Sequence, residues 1–285
     1  MPELPEVETV VRDLRPQLTG RRITSLHVSD RALRKPWASA WKEELVGTTV
    51  AAVERRGKWI VVRLDGGRHL VLHLGMSGQL TVADAVEPLQ NHVHLIFGLN
   101  EGNRQLRFRD IRRFGSATLY ADADALERFF AGSKLGPEPF ALDAAYWKER
   151  LRKAARPLKA ILLDQRVVAG VGNIYADESL FQARLHPARL GSSLDGAEAG
   201  RLGKAVVTVL NRAIDRRGSS IRNYVGGSGL KGGYQKEFRV YGRTGKPCPR
   251  CQTPIERVRL AGRSTHSCPN CQPPARPPIK RVRRP

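Results

Sequence analysis

Four cysteines fall in two pairs, Cys248-x2-Cys251 and Cys268-x2-Cys271, with sixteen residues between the pairs. Each pair can present two thiolates from one tight turn to a single tetrahedral ion, the spacing of a four-cysteine zinc ribbon. Two disulfides are the alternative. The start, MPELPEVETV, has neither the basic head nor the apolar run of an export signal, so reduced thiols holding one zinc ion are favoured. Four sulfur ligands fill the coordination sphere, which makes the ion structural and not catalytic. Between the pairs, 255–259 and Arg263–Ser267 are predicted strands with Ala261-Gly262 at the turn. Arg263 then stands at the tip of a metal-stapled finger, either as solvated surface or as a contact to phosphate.

The other end of the chain carries a different chemistry. Met1 precedes Pro2, a pairing from which the initiator methionine is normally removed, leaving a secondary amine. Such an amine titrates near neutrality, at about 7.7–8.0, so part of it is unprotonated and nucleophilic. It can attack an aldehyde-like sugar carbon and form an iminium, which for proline is cationic without protonation. Glu3 beside it is a carboxyl able to act as general acid and base. Many proteins begin Met-Pro-Glu, so the triplet alone carries no assignment. Further on, Gly170-Val171-Gly172-Asn173 opens a predicted helix, with Asn173 as a favoured N-cap. It is either a phosphate site built from free N–H groups or an ordinary capped helix. His92 and His94 are predicted on one strand face, but no third ligand at usable spacing accompanies them.

The elements that position these residues can be read from periodicity. Val7, Val10, Val11, Leu14 and Leu18 have the spacing of an amphipathic helix over residues 5–18. Seven short β-branched runs follow, at Ile23–Val28, 50–53, 58–64, 69–74, 92–97, 105–109 and Ser116–Tyr120, which predicts a sandwich or barrel. Residues 135–139 (LGPEP) read as a linker, 143–217 as helical, and the glycines of 226–233 as a flexible loop. Residues 273–285 hold five prolines and five Lys or Arg, and read as a disordered basic tail that adds nonspecific affinity.

Composition then narrows the partners. Forty-nine Lys and Arg against 27 Asp and Glu leave a net charge of +22. Such an excess favours polyanions, nucleic acid above all. No run of 18 apolar residues exists, which excludes a membrane-spanning helix, and the expected location is cytoplasmic.

Taken together, these residues resemble the formamidopyrimidine-DNA glycosylase family, the bacterial 8-oxoguanine repair enzymes. The resemblance rests on MPELPEVETV at the start, RRGKW around Lys58, HLGMSG at 73–78, RFRDIRRFG at 107–115 and LGPEP at 135–139. It continues through DQRVVAGVGNIYADESLF at 164–181, VYGRTGKPC at 240–248 and GRSTHSCPNCQ at 262–272. It implies an α+β multidomain fold: an N-terminal helix plus β-sandwich over 1–132, a helix-two-turn-helix domain over 133–236, and a zinc-finger hairpin over 237–272, with damaged double-stranded DNA bound in a basic cleft. It implies a monomeric, bacterial, nucleoid-associated glycosylase and AP lyase for oxidised purines. By the same resemblance Pro2 is the nucleophile, Glu3 the acid and base, Lys58 a phosphate contact assisting β-elimination, and Arg263 a phosphate contact used in δ-elimination. Met76, Arg112 and Phe114 would fill the void left by an everted base, where core packing is the alternative for Met76 and Phe114 and a solvated charge run for Arg112. His73, His92, Arg156, Lys159, Asn173 and Tyr241 would line the DNA path.

The chain departs from the family pattern at Val93, usually Asp, at Ile111, often Pro, and in the glycine-rich loop at 226–233. Two other readings compete. One is an endonuclease VIII-type enzyme for oxidised pyrimidines; the other is a zinc-finger DNA-binding protein without catalysis, against which Pro2, Glu3, Lys58 and Arg263 all stand.

Overall fold

Helix α1 (Leu4–Leu18) forms where the spacing predicted it, and Val7, Val10, Val11, Leu14 and Leu18 are fully buried. Pro5 lies in its first turn, where a missing N–H loses no helical bond. Glu3 is the N-cap. Its N–H donates to Glu6 Oε2 at 2.8 Å while its side chain accepts from the Glu6 N–H, a reciprocal capping box. The computed structural model describes residues 2–100, 103–221 and 224–274. The removal of Met1 and the tail from 275 lie outside the described residues.

After α1 come β1 (Ile23–Val28), a short helix α2 (Trp41–Leu45), and β2 (Val50–Arg56), β3 (Trp59–Leu64), β4 (His69–His73) and β5 (Gly78–Asp84). Then follow β6 (Val93–Leu99), β7 (Arg104–Asp110) and β8 (Ser116–Tyr120). They make two antiparallel four-stranded sheets, ordered β1-β6-β7-β5 and β2-β3-β4-β8. Among the described residues of this region eight strands stand where the sequence predicted seven. The unpredicted one, β5, begins at a glycine and marks its buried face with little more than Leu80 and half-buried Val82.

The alternation of side chains explains the core. Ile60, Val62, Leu70 and Leu72 of one sheet share a core with Leu80, Leu95, Phe97, Leu106 and Phe108 of the other and with the apolar face of α1. Val61 and Val71 face the opposite way and pack on Leu126 and Phe130 of α3 (Ala123–Gly132). The central strands β3 and β4 of the second sheet are therefore covered on both faces, which is why they read as continuous apolar runs.

Helices α4 (Ala144–Arg152), α5 (Leu158–Leu163), α6 (Asn173–Gln182) and α7 (Gly196–Asp215) follow, then the hairpin of β9 (Glu256–Leu260) and β10 (Arg263–Ser267). The chain divides into two compact units. One runs to Glu138 and resumes over Leu210–Glu237; the other comprises Pro139–Val209 and the chain from Phe238. In the second unit the finger packs on α6 through Phe181, Val240, Cys248, Ile255 and Cys268. No helix among the described residues is long and apolar enough to cross a membrane.

Two segments are more tightly held than their composition predicted. Within 135–139, read as a linker, Glu138 accepts hydrogen bonds from Arg55, Arg56 and the Gly57 N–H. The glycine-rich loop is anchored by Asp13, which accepts from Arg217 and from the Ser228 N–H and hydroxyl. A Cβ at Gly227 would lie 2.7 Å from Leu14 Cγ. Glycine here permits close approach to α1, and not merely flexibility.

Candidate active site and metal centre

The head of α1 carries Pro2 and Glu3, both buried. Glu6, one turn on, is itself 1% exposed and accepts from the Ser219 N–H at 2.7 Å through Oε1. The Tyr224 hydroxyl donates to the Glu6 carbonyl at 3.1 Å, and burial beside Glu6 pushes that phenol up. One buried glutamate thus ties the first turn of α1 to Ser219 and Tyr224 and leaves Glu3 at the helix start. The sequence carried a signal for Glu6, since it is the third residue after an N-cap acid.

Lys58 was expected on a strand. It instead occupies the second position of a two-residue hairpin turn between β2 and β3, in which Arg56 pairs with Trp59. Gly57 takes φ 58 at the first position, the requirement of a type II′ turn. The turn is tied down on both sides. Arg55 donates to Glu8 of α1 and to Glu138, each at 2.8 Å, and the Gly57 N–H donates to Glu138 at 2.6 Å. Helix α1 and the Lys58 turn therefore share one ion-pair network whose central arginine is 9% exposed. Lys58 is itself buried. Burial, added to by the charges of Lys58 and Arg34, pulls the His73 imidazole down to about 4, so His73 is neutral near pH 7. His73 Nδ1 accepts from the Gly75 N–H at 3.0 Å.

Met76, Arg112 and Phe114 come together on a platform formed by 74–78 and 110–115. Exposure argues against the core-packing alternative for Met76 and Phe114, while Arg112 is exposed as a solvated charge would be. Met76 is 41% and Phe114 44% exposed, so neither fills the core, and the Arg112 guanidinium stacks over the Phe114 ring at 4.6 Å. The two loops touch closely: a Cβ at Gly75 would sit 2.5 Å from Phe114 C and Gly115 N. His92 precedes β6 with φ 69, so it does not share a strand face with His94 as expected. His94 is buried between Ser29 Oγ and the Asp110 carbonyl, a structural position and no metal ligand.

In the second unit the N-cap of α6 is Gly172 and not Asn173. The Asn173 amide is engaged elsewhere, donating to the Ser264 carbonyl of the finger at 3.0 Å. Lys159, expected along the DNA path, is fully buried. Its ammonium donates to Asp177 and, at 2.9 Å, to the Asn173 carbonyl. Asp177 in turn accepts from the His266 N–H at 3.0 Å and lies 3.1 Å from His266 Nδ1. The neighbouring Glu178 accepts from the N–H groups of Arg239, Val240 and Tyr241, and burial pushes its carboxyl up. Asp177 holds the finger and Glu178 holds the Tyr241 loop. Neither was singled out from sequence, although two adjacent carboxylates in an apolar helix are a signal. Arg156 pairs with Asp164 at 2.7 Å, and hydrogen bonds from Arg166 and Arg156 hold that carboxyl below the usual range.

Ala261 and Gly262, with φ 51 and 72, make the turn that leaves Arg263 exposed at the start of β10. Below it, the four cysteine sulfurs lie within 4.8 Å of one another. Cys251 and Cys268 approach to 3.4 Å and Cys248 and Cys271 to 3.8 Å, far beyond the roughly 2.05 Å of a disulfide. Zinc–sulfur bonds of about 2.3 Å in a tetrahedron set sulfurs about 3.8 Å apart. The Arg250 and Cys271 N–H groups also donate to cysteine sulfurs. The donor set fits zinc.

Fold and site together define a helix-headed β-sandwich joined to a helix-two-turn-helix unit and a four-cysteine zinc finger. Family models describe the same three parts. Residues 1–117 match the formamidopyrimidine-DNA glycosylase N-terminal domain, 135–225 its H2TH domain, and 245–274 the zinc finger found in FPG and IleRS. The formamidopyrimidine-DNA glycosylase of Moorella thermoacetica is 47% identical over 91% of this chain and 95% of its own length. Among solved structures, the complex of Lactococcus lactis Fpg with DNA containing an abasic site superposes with a TM-score of 0.89 at 37% identity, covering 95% of this chain and all of that one. A MutM complex with DNA containing carbocyclic 8-oxo-G gives 0.88 at 36% identity, over 96% of this chain and all of that one. The chain belongs to the formamidopyrimidine-DNA glycosylase family.

Proposed function

We propose that this chain excises oxidised purines, 8-oxoguanine and formamidopyrimidines, from duplex DNA and then cuts the strand at the resulting site. Once Met1 is removed, the Pro2 nitrogen attacks C1′ of the everted nucleotide as the C1′–N9 bond breaks and the base leaves with a proton. Glu3 shuttles protons while the sugar ring opens to the iminium. The cation at C1′ draws electrons as a proton leaves C2′ and the 3′ phosphate departs; loss of the C4′ proton then releases the 5′ phosphate. Lys58 and Arg263 bear on those phosphates, Lys58 in the first elimination and Arg263 in the second.

The observation that carries the reading is the exposed platform of Met76, Arg112 and Phe114. Eversion costs a few kcal/mol of stacking and pairing, and side chains inserted into the gap recover part of it. Two large apolar side chains held out of the core beside a stacked arginine suit that task, and little else explains their exposure. His73, His92, Arg156, Asn173 and Tyr241 follow the DNA, with Lys159 acting through Asn173 and not by touching phosphate itself. One zinc ion held by Cys248, Cys251, Cys268 and Cys271 stiffens the finger. The active form is a cytoplasmic, nucleoid-associated monomer, divided at 1–132, 133–236 and 237–272.

Single-turnover excision from duplexes carrying either 8-oxoguanine or thymine glycol tests the substrate class. The 8-oxoguanine strand should be cut at least about tenfold faster, a difference of ~1.4 kcal/mol in the transition state. A preference for thymine glycol would move the chain to the pyrimidine enzymes.

A further inference from the structure

Asp110 ends β7 and is completely buried. Its two carboxyl oxygens are fully spoken for. Oδ1 accepts from the Ser77 hydroxyl at 2.6 Å and the Arg112 N–H at 3.3 Å, and Oδ2 accepts from the Gly115 N–H at 2.7 Å. The backbone of the same residue is equally engaged. Its N–H donates to the His92 carbonyl at 2.9 Å, and its carbonyl lies 3.0 Å from His94 Nε2. Ser77 closes the circuit by accepting from the Arg112 N–H at 3.1 Å. The side chain of Asp110 therefore joins the residue after Met76 to both ends of the segment carrying Arg112 and Phe114, and its backbone ties in His92.

We infer that Asp110 is the positioning residue for base eversion: it fixes Met76, Arg112 and Phe114 at one height so that they enter the gap as a unit. The inference rests on the glycosylase reading above. Each of the three side chains is exposed and stands outside regular secondary structure, and beyond the Arg112–Phe114 stack its position depends on how the loop backbone is held. Preorganisation must come from beneath, and a buried carboxyl with three donors supplies it. The fit allows little else. A Cβ at Gly115 would lie 3.0 Å from Asp110 Oδ2, 2.7 Å from Phe108 Cζ and 2.8 Å from the His73 carbonyl. An amide in place of the carboxyl must turn its NH2 toward one of these donors, so Asp110→Asn loosens the platform without changing volume.

The test compares two substrates in the full-length zinc-loaded protein. Excision of 8-oxoguanine from a duplex requires the gap to be filled; borohydride trapping on a single-stranded oligonucleotide with a preformed abasic site does not. Asp110→Asn should lower duplex excision at least about tenfold while single-strand trapping stays within about threefold of the parent. Ser77→Ala, which removes one hydroxyl and leaves the carboxyl, should shift the ratio the same way by a smaller factor, and it carries the test should Asp110→Asn not fold. Equal losses on both substrates, or undiminished duplex excision, overturn the inference. A parent protein that forms no adduct on the single strand overturns the glycosylase reading itself, and the inference with it.

Discussion

Buried polar side chains cost stability unless every hydrogen bond is met, so those in this chain mark where geometry is being enforced. Glu6 serves the head of α1, Asp110 the loops that carry Met76, Arg112 and Phe114, and Asp177 with Glu178 the finger and the Tyr241 loop. His73 is held neutral by burial, and its protonation falls in an accessible range. Its folded value, about 4, lies below the ordinary 6.5. The unfolded chain therefore binds the extra proton between those values, and stability should fall as pH drops through 6.5 toward 4. Thermal unfolding from pH 7.5 to 4.5 should show this decline, at most about 3 kcal/mol, and His73→Asn should remove that part of the slope. An unchanged slope in the variant would refute the assignment. The placement of Pro2 and Glu3 at a helix start and of Arg263 at the hairpin turn was legible in the sequence because it depends on place in the chain and on local pattern. Asp110 and Asp177 were not, because a buried carboxylate is defined by its partners. Those of Asp177 are 18 and 89 residues away, and no periodicity reports them.

At the scale of elements, α1 and the finger hairpin were legible because their patterns are complete within one segment: five apolar residues on one helix face, two CxxC turns, and an Ala-Gly turn between strands. Lys58 was misplaced by a single residue, since a two-residue turn inside an apolar run leaves only Gly57 as a mark. Strand β5 was missed because its burial depends on pairing with β7 and hardly on its own composition. Helix α6 shows how an element can be held from within. The fully buried Lys159–Asp177 pair joins α5 to α6, and Asp177 carries the finger through His266. Asp177→Ala takes from the buried ammonium the carboxylate it faces, which should cost about 3–5 kcal/mol. Urea unfolding would measure that cost. Replacing the pair together, Lys159→Met with Asp177→Leu, should recover the part due to the unpaired ammonium, leaving the lost His266 bonds. A double variant as unstable as the single one would show that packing, and not the unpaired charge, sets the cost.

For the whole molecule, the +22 charge named the class of partner before any element was placed, and family motifs named the chemistry. What they could not give is how the candidate residues are held, and there the structure shows the bonds of Glu6, the Arg55 network and Asp110. The basic segment 273–285 belongs to this scale, since the role expected of it rests on charge. Its deletion should flatten the salt dependence of duplex binding by about 0.9 log units for each phosphate it no longer neutralises, and an unaltered slope would remove it from the binding surface. The central claim is that the chain attacks through the nitrogen of Pro2. Borohydride reduction on an abasic oligonucleotide, followed by peptide mapping of the adduct, tests it most directly. The account predicts one adduct, on Pro2 of chains lacking Met1, and none on chains whose proline nitrogen is acetylated. An adduct mapped to Lys58, or trapping that survives acetylation, would contradict it.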